Sequence, residues 1–253
     1  TSTGILDTKF GFSIETGAAK DAIISAQKKN NLNLKGIHFH LGSPIFELSP
    51  YEEAINYVFE FVKDNYPNYK DIEIFNVGGG FAVPYSVDDP IVNIDNYAST
   101  ICNTLKENVN KNSIKNVKLV IEPGRAIVAR SGIAIYTIGG IKEIPNLRKY
   151  VSVDGGMADN IRPALYGSKY SLFSVNKANM PHEEIVTIAG KFCETGDKLV
   201  ENVPLPKPES NDLIAIPVSG AYNFSMSSNY NVSLRPAIVL IKSNGKVKLL
   251  RRR

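Results

Sequence analysis

Between Leu34 and Arg125 the chain alternates short β-like runs with long amphipathic ones, and that order leaves few folds open. The runs "LKGIHFHLG", "DIEIFNVGGG" and "VKLVIEPGR" are apolar and bounded by turn residues, as strands are. Between the first two, Ile55, Val58, Phe59 and Val62 recur at helical spacing. Ahead of them Ser49 and Glu52 have capping-box spacing, with Pro50 expected at the first helical position. "NYASTICNTLKENV" predicts a helix between the second and third runs, and "GAAKDAIISAQKKN" (17–30) one before the first. Strand, helix, strand, helix, strand requires crossovers, so the strands are expected to be parallel and covered by helices.

From about residue 131 the texture changes. Short β-like runs follow one another, "GIAIYTIGGI", "KYVSVDGG", "EIVTIAG", "DLIAIPVSG" and "PAIVLIKSNGKVKLL", separated by Gly, Pro, Asn and Asp. That pattern suits an antiparallel sheet or barrel. The expected organisation is therefore an α/β portion over residues 1–130 and an all-β portion over 131–253.

Bulk composition removes several classes of function. With 29 Lys+Arg against 25 Asp+Glu the net charge is +4, and no basic stripe with interleaved aromatics is present, so nucleic acid is not an expected partner. No apolar run is long enough to span a bilayer, and a membrane is not expected either. The two cysteines, Cys102 and Cys193, cannot build a disulfide framework, and a reducing, cytoplasmic location is expected.

Each of the three parallel runs ends on an unusual cluster: His38 and His40, then Gly78, Gly79 and Gly80, then Glu122 and Arg125. Ligand sites of α/β folds lie at the carboxyl ends of strands, so three clusters there support one another. Each also has a plain structural reading. The two histidines, expected on one face of a strand, suit core packing; a metal would need more ligands, and only His182 remains. The glycines form a turn or bring bare amides to a phosphate. Glu122 and Arg125 make a surface ion pair, or a carboxylate that keeps a pyridinium charged beside a cation for phosphate. In "GKFCETGDKL", Cys193 precedes Glu194 directly, a poor setting for a strong nucleophile and a better one for a neutral acid. A buried, inert cysteine is the plain alternative.

Taken together, "GIHFHLGS", "NVGGGF", "IEPGR", "VDGGMADNIRPALY", "CETGD" and "GAYNFSMSSNYN" resemble, in order and style, the diaminopimelate decarboxylases. These are fold-type III pyridoxal-phosphate enzymes with an alanine-racemase-like barrel and a C-terminal β domain, related to the ornithine and arginine decarboxylases. The resemblance implies a partial pyridoxal-phosphate-binding (β/α)8 barrel followed by an antiparallel β domain. It implies decarboxylation of meso-2,6-diaminopimelate to L-lysine, the last step of lysine biosynthesis. His40 would stack on the pyridoxal 5'-phosphate ring, with Ser43, Gly78, Gly79, Gly80, Gly124, Arg125 and Tyr222 toward its phosphate and Glu122 at its ring nitrogen. Arg125, Arg162, Tyr166, Glu194 and Tyr222 would hold the amino-acid substrate, and Cys193 would donate the proton that replaces carbon dioxide. A homodimer with shared active sites is implied as well.

Certain positions depart from the family pattern. Thr195 stands where Ser is common, Pro44 where Gln is customary, and Lys191 is an unfamiliar neighbour of Cys193. The "YAxKAN"-type segment that carries the family's cofactor-anchoring lysine is absent from these residues, and a (β/α)8 barrel needs about 250 residues by itself. An N-terminal part upstream of Thr1 is the expectation. The alternatives are a related decarboxylase acting on carboxynorspermidine, ornithine or arginine, or a non-catalytic regulatory homologue.

Overall fold

The computed structural model describes residues 8–253, which divide into two compact units. One comprises the residues up to Pro84 with Pro90–Ile127; the other comprises Tyr85–Asp89 with Val128–Arg253.

The first unit carries helix α1 (Ala18–Gln27), strand β1 (Gly36–His38), helix α2 (Ser49–Asn65), strand β2 (Ile74–Asn76), helix α3 (Ile94–Lys111), strand β3 (Lys118–Val120) and the start of a short helix α4 (Arg125–Val128). The strands form a parallel sheet in the order β1-β2-β3, as the alternation requires. Ile55, Val58, Phe59 and Val62 of α2 and Tyr97, Ile101 and Leu105 of α3 are buried with Phe75 and Val77. The Phe59 and Phe75 rings stack at 4.6 Å. Asn93 caps α3 by accepting from the Asp95 N–H at 2.8 Å. The expected capping box at α2 does not form: the helix starts at Ser49 itself, so Ser49 already lies in the first turn and its hydroxyl caps nothing. The strands are shorter than the apolar runs, because only three residues of each find ladder partners before the chain turns into the clusters described below.

The second unit holds β4 (Ala134–Ile144), β5 (Arg148–Val153), a one-turn helix α5 (Arg162–Tyr166), β6 (Phe173–Ser174), β7 (Glu184–Ala189), β8 (Lys198–Leu205) and β9 (Leu213–Ile216). These strands make a six-stranded sheet in the order β6-β9-β4-β5-β7-β8. A separate antiparallel hairpin, β10 (Ile238–Ile241) with β11 (Val247–Arg251), follows. Tyr136, Ile138, Val151, Val186, Ile188, Leu199, Ile214 and Ile216 are buried in this unit. One pairing departs from the antiparallel expectation: β5 and β7 run parallel. The chain from Asp154 to Glu183 crosses over between them instead of turning back in a hairpin, so two loops, after Val153 and after Ala189, leave the same end of neighbouring strands.

Candidate active site

The register of the parallel sheet aligns His38, Asn76 and Val120, so the segments that follow them emerge side by side. The Glu122 carboxylate accepts a hydrogen bond from Asn76 Nδ2 at 2.8 Å, and His38 Nε2 stands 3.7 Å from the same oxygen. Asn76 Oδ1 in turn accepts from the Gly78 N–H at 2.8 Å, so one amide side chain aligns both the acid and the glycine turn. Because β1 ends at His38, His40 is placed by the turn and not by the strand face. Its Nδ1 accepts from the Gly79 N–H at 3.1 Å, which requires an unprotonated ring nitrogen there. Burial pushes the His40 pKa below its ordinary value, His38 pushes it the same way, and Glu122 works against them.

The three glycines are demanded by close packing. A Cβ on Gly79 would overlap the Glu122 carbonyl oxygen, one on Gly80 the Gly42 carbonyl, and one on Gly78 would lie 2.6 Å from the Phe39 carbonyl oxygen. Gly78 and Gly80 also adopt left-handed φ values of 70° and 99°. Two of the three amides, those of Gly78 and Gly79, are donated to side chains of the protein itself; the Gly80 N–H meets no acceptor among the described residues. Tyr51, fully buried, donates its hydroxyl to the Gly79 carbonyl at 2.8 Å and stacks on Phe81, fixing the turn from below. Arg125 is buried and donates from Nη2 to Ser43 Oγ at 3.2 Å. Gly124 accepts at its carbonyl from the Ile127 N–H at 3.2 Å, opening α4.

In the second unit, Arg162 opens α5 and is buried; its guanidinium lies over the rings of Tyr166 (5.2 Å to the centroid) and Tyr222 (5.5 Å). No carboxylate among the described residues lies within ion-pair distance of it, and its buried Nε has no hydrogen-bond partner. Tyr222 is held at a left-handed φ of 62°, a conformation that costs a non-glycine residue about 1–3 kcal/mol. Cys193 and Glu194 are exposed on the loop between β7 and β8. The Tyr230 hydroxyl donates a short hydrogen bond to Glu194, which pushes the Tyr230 pKa up, and the Phe192 ring meets Tyr230 edge-on at 5.7 Å. A Cβ on Gly196 would sit 3.8 Å from that of Ala164, so this loop abuts the helix that carries Arg162 and Tyr166.

The sequence reading assigned nothing to Asn76, Tyr51 or Tyr230. Asn76 and Tyr230 lie inside quoted motifs, but only the fold shows which side chains they hold. A cavity of about 320 Å³ in the first unit, lined by Phe81, Ile94, Tyr97, Ile101, Leu119 and Ile127 among others, is apolar and contains none of the candidate groups. Among the described residues no cluster of His, Cys, Asp and Glu is placed to hold a metal ion. No helix among them is long and apolar enough to cross a membrane.

The profile of the pyridoxal-dependent decarboxylases, pyridoxal-binding domain, matches residues 1–129. The chain belongs to that family. It is similar to the diaminopimelate decarboxylase of Bacillus methanolicus, 40% identical over 256 residues, covering 99% of this chain and 58% of that protein. The diaminopimelate decarboxylase of Bacillus subtilis is 39% identical over 253 residues, covering 100% and 57%. Among solved structures, the diaminopimelate decarboxylase of Methanocaldococcus jannaschii in complex with L-lysine superposes with a TM-score of 0.89 at 36% identity, covering 99% of this chain and 56% of that one. The chain thus spans less than three fifths of the relatives it matches. Its fold is a partial pyridoxal-phosphate barrel followed by a sheet domain, and pyridoxal phosphate is the family's cofactor.

The first unit's donor set fits that cofactor. A carboxylate braced by Asn76 suits a protonated ring nitrogen, a neutral imidazole suits the ring, and a buried guanidinium with a serine hydroxyl suits a phosphate.

Proposed function

We propose that this pyridoxal-dependent decarboxylase acts on meso-2,6-diaminopimelate, releasing carbon dioxide and L-lysine. The observation that carries the substrate is the buried Arg162 guanidinium without a carboxylate of its own, on a helix packed beside the loop of Glu194. A buried cation needs an anionic partner, and a substrate with a second amino-acid end brings a carboxylate for Arg162 and an ammonium for Glu194. Tyr166 and Tyr222 flank the guanidinium and orient it. An amine-only side chain such as that of ornithine offers Arg162 nothing.

Pyridoxal phosphate, when bound, draws electrons from the substrate's α carbon so that carbon dioxide can leave. In this reading His40, Ser43, Gly80, Gly124, Arg125 and Tyr222 would hold it, Gly78 and Gly79 would shape the turn beside it, and Glu122 would keep its ring nitrogen protonated. Cys193 would act as the general acid, its Sγ–H supplying the proton to the carbon that has lost its carboxylate. Residues 1–130 supply the later part of the barrel and residues 131–253 the C-terminal decarboxylase domain. We further propose a homodimer with shared active sites, the exposed Cys193 and Glu194 being open to a partner, and a cytoplasmic location.

The test is carbon dioxide release by the protein purified from its source, with pyridoxal phosphate supplied. Meso-diaminopimelate should be turned over at least about a hundredfold more efficiently than L-ornithine, because ornithine leaves Arg162 unpaired. Equal or better turnover of ornithine would overturn the substrate assignment.

A further inference from the structure

Asp197 closes the loop that carries Cys193 and Glu194, and no role described above uses it. It is only 3% exposed, yet no lysine, arginine or histidine among the described residues lies within ion-pair distance of it. Its carboxylate is satisfied by backbone alone. Oδ1 accepts from the Met157 N–H at 2.6 Å and Oδ2 from the Phe192 N–H at 2.8 Å. Those donors belong to different loops, one following β5 and one following β7, which leave the same end of two parallel strands. A further bond crosses the same seam, the Lys191 N–H donating to the Gly155 carbonyl at 3.0 Å, while the Gly190 N–H donates to the Asp197 carbonyl at 2.9 Å and closes the 190–197 loop on itself.

The space around the carboxylate is shaped for it. A Cβ on Gly190 would overlap both of its oxygens, and one on Gly156 would lie 2.6 Å from Oδ1. The loop after β5 continues through Asn160 into α5: the Asn160 N–H donates to the Gly156 carbonyl, and the Arg162 N–H to Asn160 Oδ1. One carboxylate therefore joins the segment leading to Arg162 to the segment bearing Cys193 and Glu194. Its burial pushes the Asp197 pKa up, and the two N–H donors work against that.

We infer that Asp197 is a positioning residue whose carboxylate locks the 190–197 loop onto the 154–161 loop, setting where Cys193 Sγ and the Glu194 carboxylate stand relative to Arg162. The catalytic consequence rests on the proposed decarboxylase reading; the lock itself does not.

Asp197→Asn keeps the shape of the side chain but turns an amide N–H₂ toward one of the two donors, so one bond of the lock is lost. Hydrogen exchange followed by mass spectrometry on the full-length protein should show peptides from both loops exchanging about tenfold faster together. Peptides from β7 and β8 should be unchanged, and so should the alkylation rate of Cys102, an internal control in α3. Gly190→Ala, whose methyl group would overlap both carboxylate oxygens, should reproduce the same paired loosening. On diaminopimelate, kcat should fall about 10–100-fold with a smaller change in KM, since the proton donor is displaced more than the substrate grip. Loosening confined to the 190–197 loop, or exchange and Cys102 alkylation rising together throughout the chain, would overturn the inference. If the two variants loosen as described yet the wild-type protein releases no carbon dioxide from diaminopimelate, the lock stands and the proposed function falls.

Discussion

The two units hold their candidate groups by different means. In the first, His40, the glycine turn and Glu122 sit just past three parallel strands whose register is set by backbone pairing. In the second, Arg162, Cys193, Glu194 and Tyr222 lie on a one-turn helix and loops, held by side chains: Asp197 on two backbone amides, Tyr230 on Glu194, aromatic rings around Arg162. A site built on strand ends is tolerant of its surroundings but intolerant of a Cβ in its turns. A site built on loops is lost one buried side chain at a time.

The largest effect should come from the second unit. Arg162→Met keeps the stem of the side chain and removes the charge, and kcat/KM for diaminopimelate should fall by about 10²–10³-fold, with the loss seen mainly in KM. Steady-state kinetics on the two proteins decide it; a loss below about threefold would mean that Arg162 does not grip substrate. In the first unit, Gly79→Ala forces a methyl group into the Glu122 carbonyl oxygen and should cost about 1–3 kcal/mol of stability by urea denaturation. An unchanged midpoint would show that the strand ends are less closely packed than their glycines indicate.

That division also explains what could be read from the residues alone. Period and order of the apolar runs specify the parallel sheet and its helices, because crossover connections admit no other pairing. The glycine turn was legible as a special place, but not its reason: Gly78 and Gly79 amides are engaged by Asn76 and His40, and the missing side chains make room for neighbouring backbone. Ser49 was misleading, since capping-box spacing says nothing about where the helix axis begins, and the structure starts it one residue early. The parallel pairing of β5 with β7 was out of reach because it depends on a long crossover whose path is set by tertiary contacts. Asp197 and Tyr230 stood inside recognisable motifs, yet Met157 is 40 residues from Asp197 and Glu194 is 36 residues from Tyr230, and spacing carries no trace of such contacts.

A smaller effect separates the turn's support from its sterics. Tyr51→Phe removes a single hydroxyl and leaves the Gly79 carbonyl without its donor in a buried setting. The loss should be about 1–2 kcal/mol in the urea transition, with the ring stacking on Phe81 preserved. A change indistinguishable from zero would mean that water or a rearranged donor reaches the carbonyl, and that the turn is held by its glycines alone.

The smallest effect is a pH dependence confined to the first unit. The folded protein holds His40 below its ordinary pKa, chiefly by burial and secondarily by His38, while the unfolded chain titrates near about 6.5. Between the folded value and about 6.5 the unfolded state binds more protons, so stability rises with pH through that window and is lost as the solution is acidified. Protonation would also put a hydrogen on Nδ1, where the Gly79 N–H now points. His40→Asn removes the titration but keeps an oxygen able to accept from that N–H. Urea midpoints measured from pH 5 to pH 8 should therefore show the wild type losing stability below about pH 6.5 relative to the variant, with the two curves parallel above it. Curves that stay parallel across the whole range would mean that His40 titrates in the folded protein as it does in the unfolded chain, and that the glycine turn does not depend on a neutral imidazole.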